Sequence, residues 1–193
     1  MTRTDAFQRI EVASADELRA WLEENHGQEA SVWAVTWKKG AEPDRHVCTD
    51  DILDAVLSYG WVDGIRRKLD DARTMQLIAP RRAQHWSRSY KVRAARLIAE
   101  GLMRSPGLAA IEEGRRSGLW TFMDDVDDLI VPDDLADALA AAPPATDRFA
   151  ASAPSYRRNV LRWIKLARTP ATRAKRIAAA AEAAAENRRL PQM

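Results

Sequence analysis

Residues 49–79 read TDDILDAVLSYGWVDGIRRKLDDARTMQLIA, and this stretch decides the fold. Thr49 is a good helix N-cap, because its hydroxyl can accept from an orphan first-turn amide. Asp50 and Asp51 suit the positive end of the helix dipole. Ile52, Leu53, Val56 and Leu57 then make one apolar stripe, and Gly60 ends the helix. From Trp61 to Leu69 the pattern is that of a strand. Asp70 to Arg73 reads as a turn, and Thr74 to Ala79 as the antiparallel return strand. A helix running into a hairpin predicts an α+β fold: a small antiparallel sheet packed by helices.

The flanking sequence extends the same reading. Arg9 to Val12 is a short candidate strand. Ser14-Ala15-Asp16-Glu17 is a capping box, followed by Leu18, Trp21 and Leu22 on one helical face and a stop at Asn25-His26-Gly27. Ser31 to Lys38 alternates as a strand, with Val32, Ala34 and Thr36 on one face and Trp33, Val35 and Trp37 on the other. Beyond Pro80 the chain turns helical. Arg88 to Glu100 is a basic helix whose expected buried positions are Val92, Ala95, Leu97 and Ile98. Ser105 caps a helix with Pro106 in its first turn, Pro132-Asp133-Asp134 opens another, and Pro143-Pro144 interrupts the chain. Ser155 to Arg168 carries Val160, Leu161 and Ile164 at helical spacing. Thr169-Pro170 starts a last helix whose alanine run, Ala178 to Ala185, favours helix but offers little to anchor its end. The expectation is one domain over residues 1–193. It has a sheet-containing half (1–87), a helical C-terminal half (88–193) and frayed last residues.

Composition narrows the class. With 193 residues, 46% of them hydrophobic, the chain can build a proper core. No apolar run approaches the roughly 20 residues of a membrane span, so no transmembrane segment is expected. The first ten residues lack an apolar signal core, and Cys48 is the only cysteine. Both point to a cytoplasmic setting, and the lone cysteine excludes a disulfide within the chain or a multi-cysteine zinc site. The net charge of +2 hides an alternation: residues 1–65 carry 6 basic and 13 acidic side chains, 66–104 carry 11 and 3, 105–154 carry 3 and 10, and 155–193 carry 10 and 2. Acidic and basic segments can complement each other across the fold, or a basic face can meet an anionic partner.

The densest group of constrained residues is Tyr59-Gly60-Trp61-Val62-Asp63-Gly64, followed by Pro80-Arg81-Arg82 and Trp86-Ser87. Indoles line apolar pockets and donate one hydrogen bond each, and a few charged groups give such a pocket its orientation. The candidate ligand-binding residues are therefore Trp33, Trp37, Lys38, Tyr59, Trp61, Asp63, Arg81 and Trp86. The alternative is an aromatic core in which Asp63 bridges Arg81 or caps a turn. The glycine spacing fits neither a dinucleotide fingerprint nor a P-loop. His26, His46 and His85 are scattered, and the acids Asp124, Asp125, Asp127, Asp128, Asp133 and Asp134 lack EF-hand spacing. No metal and no cofactor is implied. The basic helices, with Arg157, Arg158, Arg162, Lys165, Arg168, Arg173, Lys175 and Arg176, offer a face for nucleic acid or an anionic surface.

These residues resemble the bacteriocin-protection, YdeI/OmpD-associated family over about residues 14–178. The resemblance rests on the tryptophan-rich strand ending in Lys38-Lys39, the Tyr59 to Gly64 block, Pro80-Arg81-Arg82 and Trp86-Ser87. Gly101-Leu102-Met103, Gly118-Leu119-Trp120 and the run from Trp163-Ile164 through Arg168, Thr172-Arg173 and Arg176-Ile177 add to it. The resemblance implies antimicrobial-peptide or envelope-stress resistance and supplies no catalytic residues. The expectation is a stress or antimicrobial-resistance protein that binds a small molecule or a protein partner at its Trp/Asp/Arg surface. Two alternatives stand beside it: a nucleic-acid or anionic-surface module using the basic helices, and an enzyme on a small hydrophobic substrate with Asp63 as base.

Overall fold

Ser14 opens the first helix as its N-cap: its Oγ accepts from the Glu17 amide at 3.1 Å, while Glu17 Oε2 reaches one residue past the cap and accepts from the Ala13 amide at 2.8 Å. In the computed structural model, which describes residues 6–191, the chain forms two compact units, Met1–Thr121 and Phe122–Met193. The first contains β1 (Arg9–Glu11), α1 (Ala15–Asn25), β2 (Val32–Trp37), α2 (Thr49–Ser58), β3 (Trp61–Lys68), β4 (Arg73–Pro80), α3 (Arg88–Ala99) and α4 (Ser105–Arg116). The fold is α+β, as the order of patterns predicts.

The four strands run in the order β1-β2-β4-β3. β3 and β4 form the expected hairpin, and β2 joins β4 antiparallel. β1 instead lies parallel to β2, so the sheet is mixed rather than antiparallel throughout. The reason is the helix between them: a crossover through α1 returns the chain in its original direction. Alternation along β2 sends Val32 and Ala34 into a core with Leu18, Leu22, Ile52, Val56, Trp61 and Ile78. Trp33 and Val35 face the other side with Met75.

Three local readings need correction. α2 is capped by Cys48, whose Sγ accepts from the Asp51 amide at 3.4 Å, and Thr49 is already inside the helix. Arg104 holds the N-cap position of α4, with Ser105 its first residue. In α3 the buried face is Ala94 and Leu97, with Tyr90 partly buried; Val92 is 65% exposed, Ile98 45% exposed, and Ala95 is also outside. Residues 90, 94 and 97 follow the i, i+4, i+7 stripe that meets Leu57, Trp86 and Ile111. The rotation also aims Arg93 and Arg96 at Asp54 of α2.

The change of character at residue 88 is not the border between the units, since α3 packs on α2. The second unit is all helical: α5 (Asp124–Asp127), α6 (Asp133–Ala140), α7 (Ala145–Ala151), α8 (Pro154–Lys165) and α9 (Pro170–Ala185). Its core joins Leu135, Leu139, Phe149, Val160, Leu161, Ile164 and Ile177. The alanine run of α9 is packed, because Ala180, Ala181 and Ala183 are buried in that core. Small side chains here allow close helix approach. The frayed end expected for the chain falls partly on residues 192 and 193, outside those described. Among the described residues no helix is long and apolar enough to cross a membrane.

Candidate functional site

Two residues beyond the end of α2 stands Gly60, whose φ of +72° is the left-handed turn that a side chain resists. The turn launches β3 at Trp61, and the pairing of β3 with β4 shifts register between Asp63 and Arg66. Such irregularities re-aim the side chains beside them. Asp63 Oδ1 accepts a short hydrogen bond from the Tyr90 hydroxyl at the start of α3, and Gln76 Nε2 approaches Asp63 Oδ2 at 3.4 Å. Arg81 follows directly on β4. Its guanidinium lies 3.9 Å from the Trp86 ring centre and 5.1 Å from that of Tyr90. Trp86 in turn stands 4.9 Å from Trp120 and meets Tyr90 edge-on at 6.5 Å.

Of the eight sequence-expected site residues, this cluster gathers three: Asp63, Arg81 and Trp86. The other five lie elsewhere. Trp33 is buried on the sheet face opposite Trp61. Trp37 is buried beneath the Arg45 guanidinium, 3.6 Å from its ring centre. Lys38 Nζ donates to the carbonyls of Asp70 and Asp71, both at 2.9 Å, and ties the hairpin turn to β2. Tyr59 donates its hydroxyl proton to Glu23 Oε2 at 2.6 Å. Trp61 is core: its Nε1 donates to the His26 carbonyl at 3.0 Å, and it packs edge-on against Trp21 at 5.8 Å. The sequence reading named Trp120 only as part of the resemblance, and gave neither Tyr90 nor Gln84 a role. For Tyr90 the available signal was its spacing of four residues from Trp86, one turn along a helix start.

The electrostatics set Arg81 apart. Burial pulls its pKa down to about 10, with Tyr90 and Asp63 opposing that shift, so it stays charged at neutral pH. Burial and the hydrogen bond to Asp63 push Tyr90 up to about 12, which keeps it a proton donor. Among the described residues the Arg81 side chain makes one hydrogen bond, from Nη1 to the Gln84 carbonyl at 3.3 Å, and its Nε is buried with no partner. An orphaned buried donor costs about 1–3 kcal/mol. Arg81 also lines a cleft of about 40 Å³ with Arg82, Gln84, Trp86, Glu113 and Ser117.

Other candidates have local roles. His46 Nδ1 contacts the Trp37 carbonyl at 2.8 Å and His26 Nδ1 the Leu22 carbonyl at 3.1 Å. Among the described residues, no three His, Cys, Asp or Glu side chains are grouped to hold a metal ion. In the second unit the acids meet the basic helices: Arg173 pairs with Asp134 at 2.7 Å, Lys165 with Asp125, and Arg158 with Asp127 at 3.7 Å.

Residues 10–110, which hold the sheet, Arg81 and Tyr90, match the model of a family described as a domain of unknown function, DUF8412. The chain belongs to that family. Residues 128–187 match a second model, that of the bacteriocin-protection, YdeI or OmpD-associated family. This is the family the sequence resembles, and the matched stretch includes Trp163, Arg168, Arg173 and Arg176. The Tyr59 to Gly64 block falls in the first match instead. No curated protein and no solved structure matches the chain.

Proposed function

We propose that the protein serves in stress or antimicrobial resistance by holding a small ligand at the Asp63–Arg81–Trp86–Tyr90 cluster. The observation that carries this reading is Arg81: a charged guanidinium over the Trp86 ring, with a buried Nε that no group among the described residues satisfies. Folded chains rarely leave such a donor orphaned unless something else completes it. The resistance role is supported by the description of the family model over residues 128–187. A cytoplasmic setting is part of the proposal, supported by the single cysteine, Cys48. Asp63 is read as a structural acceptor for Tyr90 rather than as a base, and no reaction is assigned to the site.

The test is native mass spectrometry of the gently purified protein, beside its Arg81→Met variant. A discrete added mass on the wild type, absent from a variant with an unchanged circular dichroism spectrum, is the expected result. A bare wild-type mass, together with melting temperatures that no member of a metabolite panel raises, would sink the proposal.

A further inference from the structure

We infer that the group received by the Arg81 cleft is a single carboxylate, presented by a small organic monoanion. This deepens the proposed function and rests on it. The volume comes first: about 40 Å³ holds one or two waters, hence one small head group with the rest of the molecule outside. The geometry of the donor comes second. The Arg81 guanidinium is held 3.9 Å from the Trp86 ring centre, and a planar guanidinium fork matches the two coplanar oxygens of a carboxylate. Among the described residues the Arg81 side chain makes one hydrogen bond, from Nη1 to the Gln84 carbonyl, which leaves Nη2 and the buried Nε without a partner.

The neighbours exclude the obvious internal occupant. Asp63 is occupied by Tyr90 and Gln76 and forms no ion pair with Arg81 among the described residues. Gln84 Oε1 accepts from the Arg82 amide at 2.6 Å, so the hydrogen-bonding capacity left to that side chain is its amide donors. The Ser117 hydroxyl donates to the Glu113 carbonyl at 2.7 Å and is not available to donate to an anion.

Charge then chooses among anions. Arg81 and Arg82 bring two positive charges to the cleft and Glu113 one negative, a balance of one positive charge. Glu113 Oε2 accepts from Arg116 Nη2 at 2.6 Å, which holds the carboxylate on the rim. A monoanion neutralises that balance, whereas a dianion leaves excess negative charge beside Glu113; since a guanidinium fork accepts carboxylate and phosphate alike, the small volume is what favours a flat two-oxygen head group over a tetrahedral one.

The experiment is a titration of ¹⁵N-labelled wild-type protein, following the Arg81 Nε–H and the Trp86 indole N–H by NMR. The probes are benzoate, its neutral isostere benzamide and inorganic phosphate. Arg81→Lys assigns the arginine signal, but the wild-type titration decides the matter without relying on that variant's folding. Benzoate is expected to shift both signals saturably, with benzamide and phosphate at least tenfold weaker. Benzamide or phosphate binding as well as benzoate would overturn the carboxylate assignment and leave the ligand site standing. No saturable shift with benzoate would also overturn it. A copurified mass lost in Arg81→Met would then keep the wider proposal, and a bare mass would remove both.

Discussion

Gly60 shows what one residue can decide. Its φ of +72° is costly for any side chain, and a Cβ there would lie 2.7 Å from the Pro106 carbonyl oxygen at the start of α4. The left-handed conformation costs an L-residue about 1–2 kcal/mol, and overpacking against backbone adds about 1–3 kcal/mol. Gly60→Ala is therefore expected to lose roughly 3 kcal/mol of stability in urea unfolding, against a few tenths for Gly40→Ala, where the Cβ would meet nothing within 4 Å. Equal losses at the two positions would show that the turn is not what Gly60 is needed for. The glycine was legible in the sequence as a helix stop. Its second duty, making room for α4, depends on a contact 46 residues away and was not.

At the scale of elements, α2 and α3 are joined by charge as well as by Leu57 and Leu97. Asp54 of α2 receives Arg93 and both oxygens receive Arg96, with Arg96 Nη2 at 2.6 Å from each. Burial alone would raise the Asp54 pKa, but the hydrogen bonds from Arg96 and Arg93 outweigh it and hold the carboxyl below its ordinary value. A carboxyl depressed in the folded state stabilises the fold above its unfolded pKa, about 4, and loses that contribution as pH falls through the folded value. Asp54→Asn is thus expected to destabilise the protein at pH 7, by about 2 kcal/mol, and to narrow the gap to wild type at pH 2–3. Thermal unfolding across that range checks it; a gap that stays constant down to pH 2 would remove the ion pair from the account. The local signals of these elements, such as the Ser14 box and the β3–β4 turn, could be read directly from the chain. The rotation of α3 could not. Val92 and Ile98 looked buried because they are apolar, whereas Ala94 gains its place from what α2 presents to it. The site followed the same rule: Asp63, Arg81 and Trp86 were conspicuous as residue types, but the pairing of Asp63 with Tyr90 spans 27 positions and no local pattern encodes it.

Across the whole molecule, the alternation of acidic and basic segments has a structural use in the second unit. Asp125, Asp127 and Asp134 come from the acidic stretch, and Lys165, Arg158 and Arg173 from the basic helices that follow. Exposed pairs of this kind contribute little stability each, about 0–1 kcal/mol, but they neutralise the face that a nucleic acid would need. Arg162, Arg168 and Lys175 are left exposed with no carboxylate partner among the described residues. Each phosphate contact releases counterions, with a slope of about −0.9 in log affinity against log salt. Three such cations support a slope no steeper than about −3 on duplex DNA, and a weak, sequence-independent affinity that vanishes near physiological salt. Fluorescence anisotropy from low to physiological salt measures this directly. A slope of −6 or more would mean that the aspartates release their arginines to phosphate. It would move the working surface of the protein from Arg81 to the basic helices.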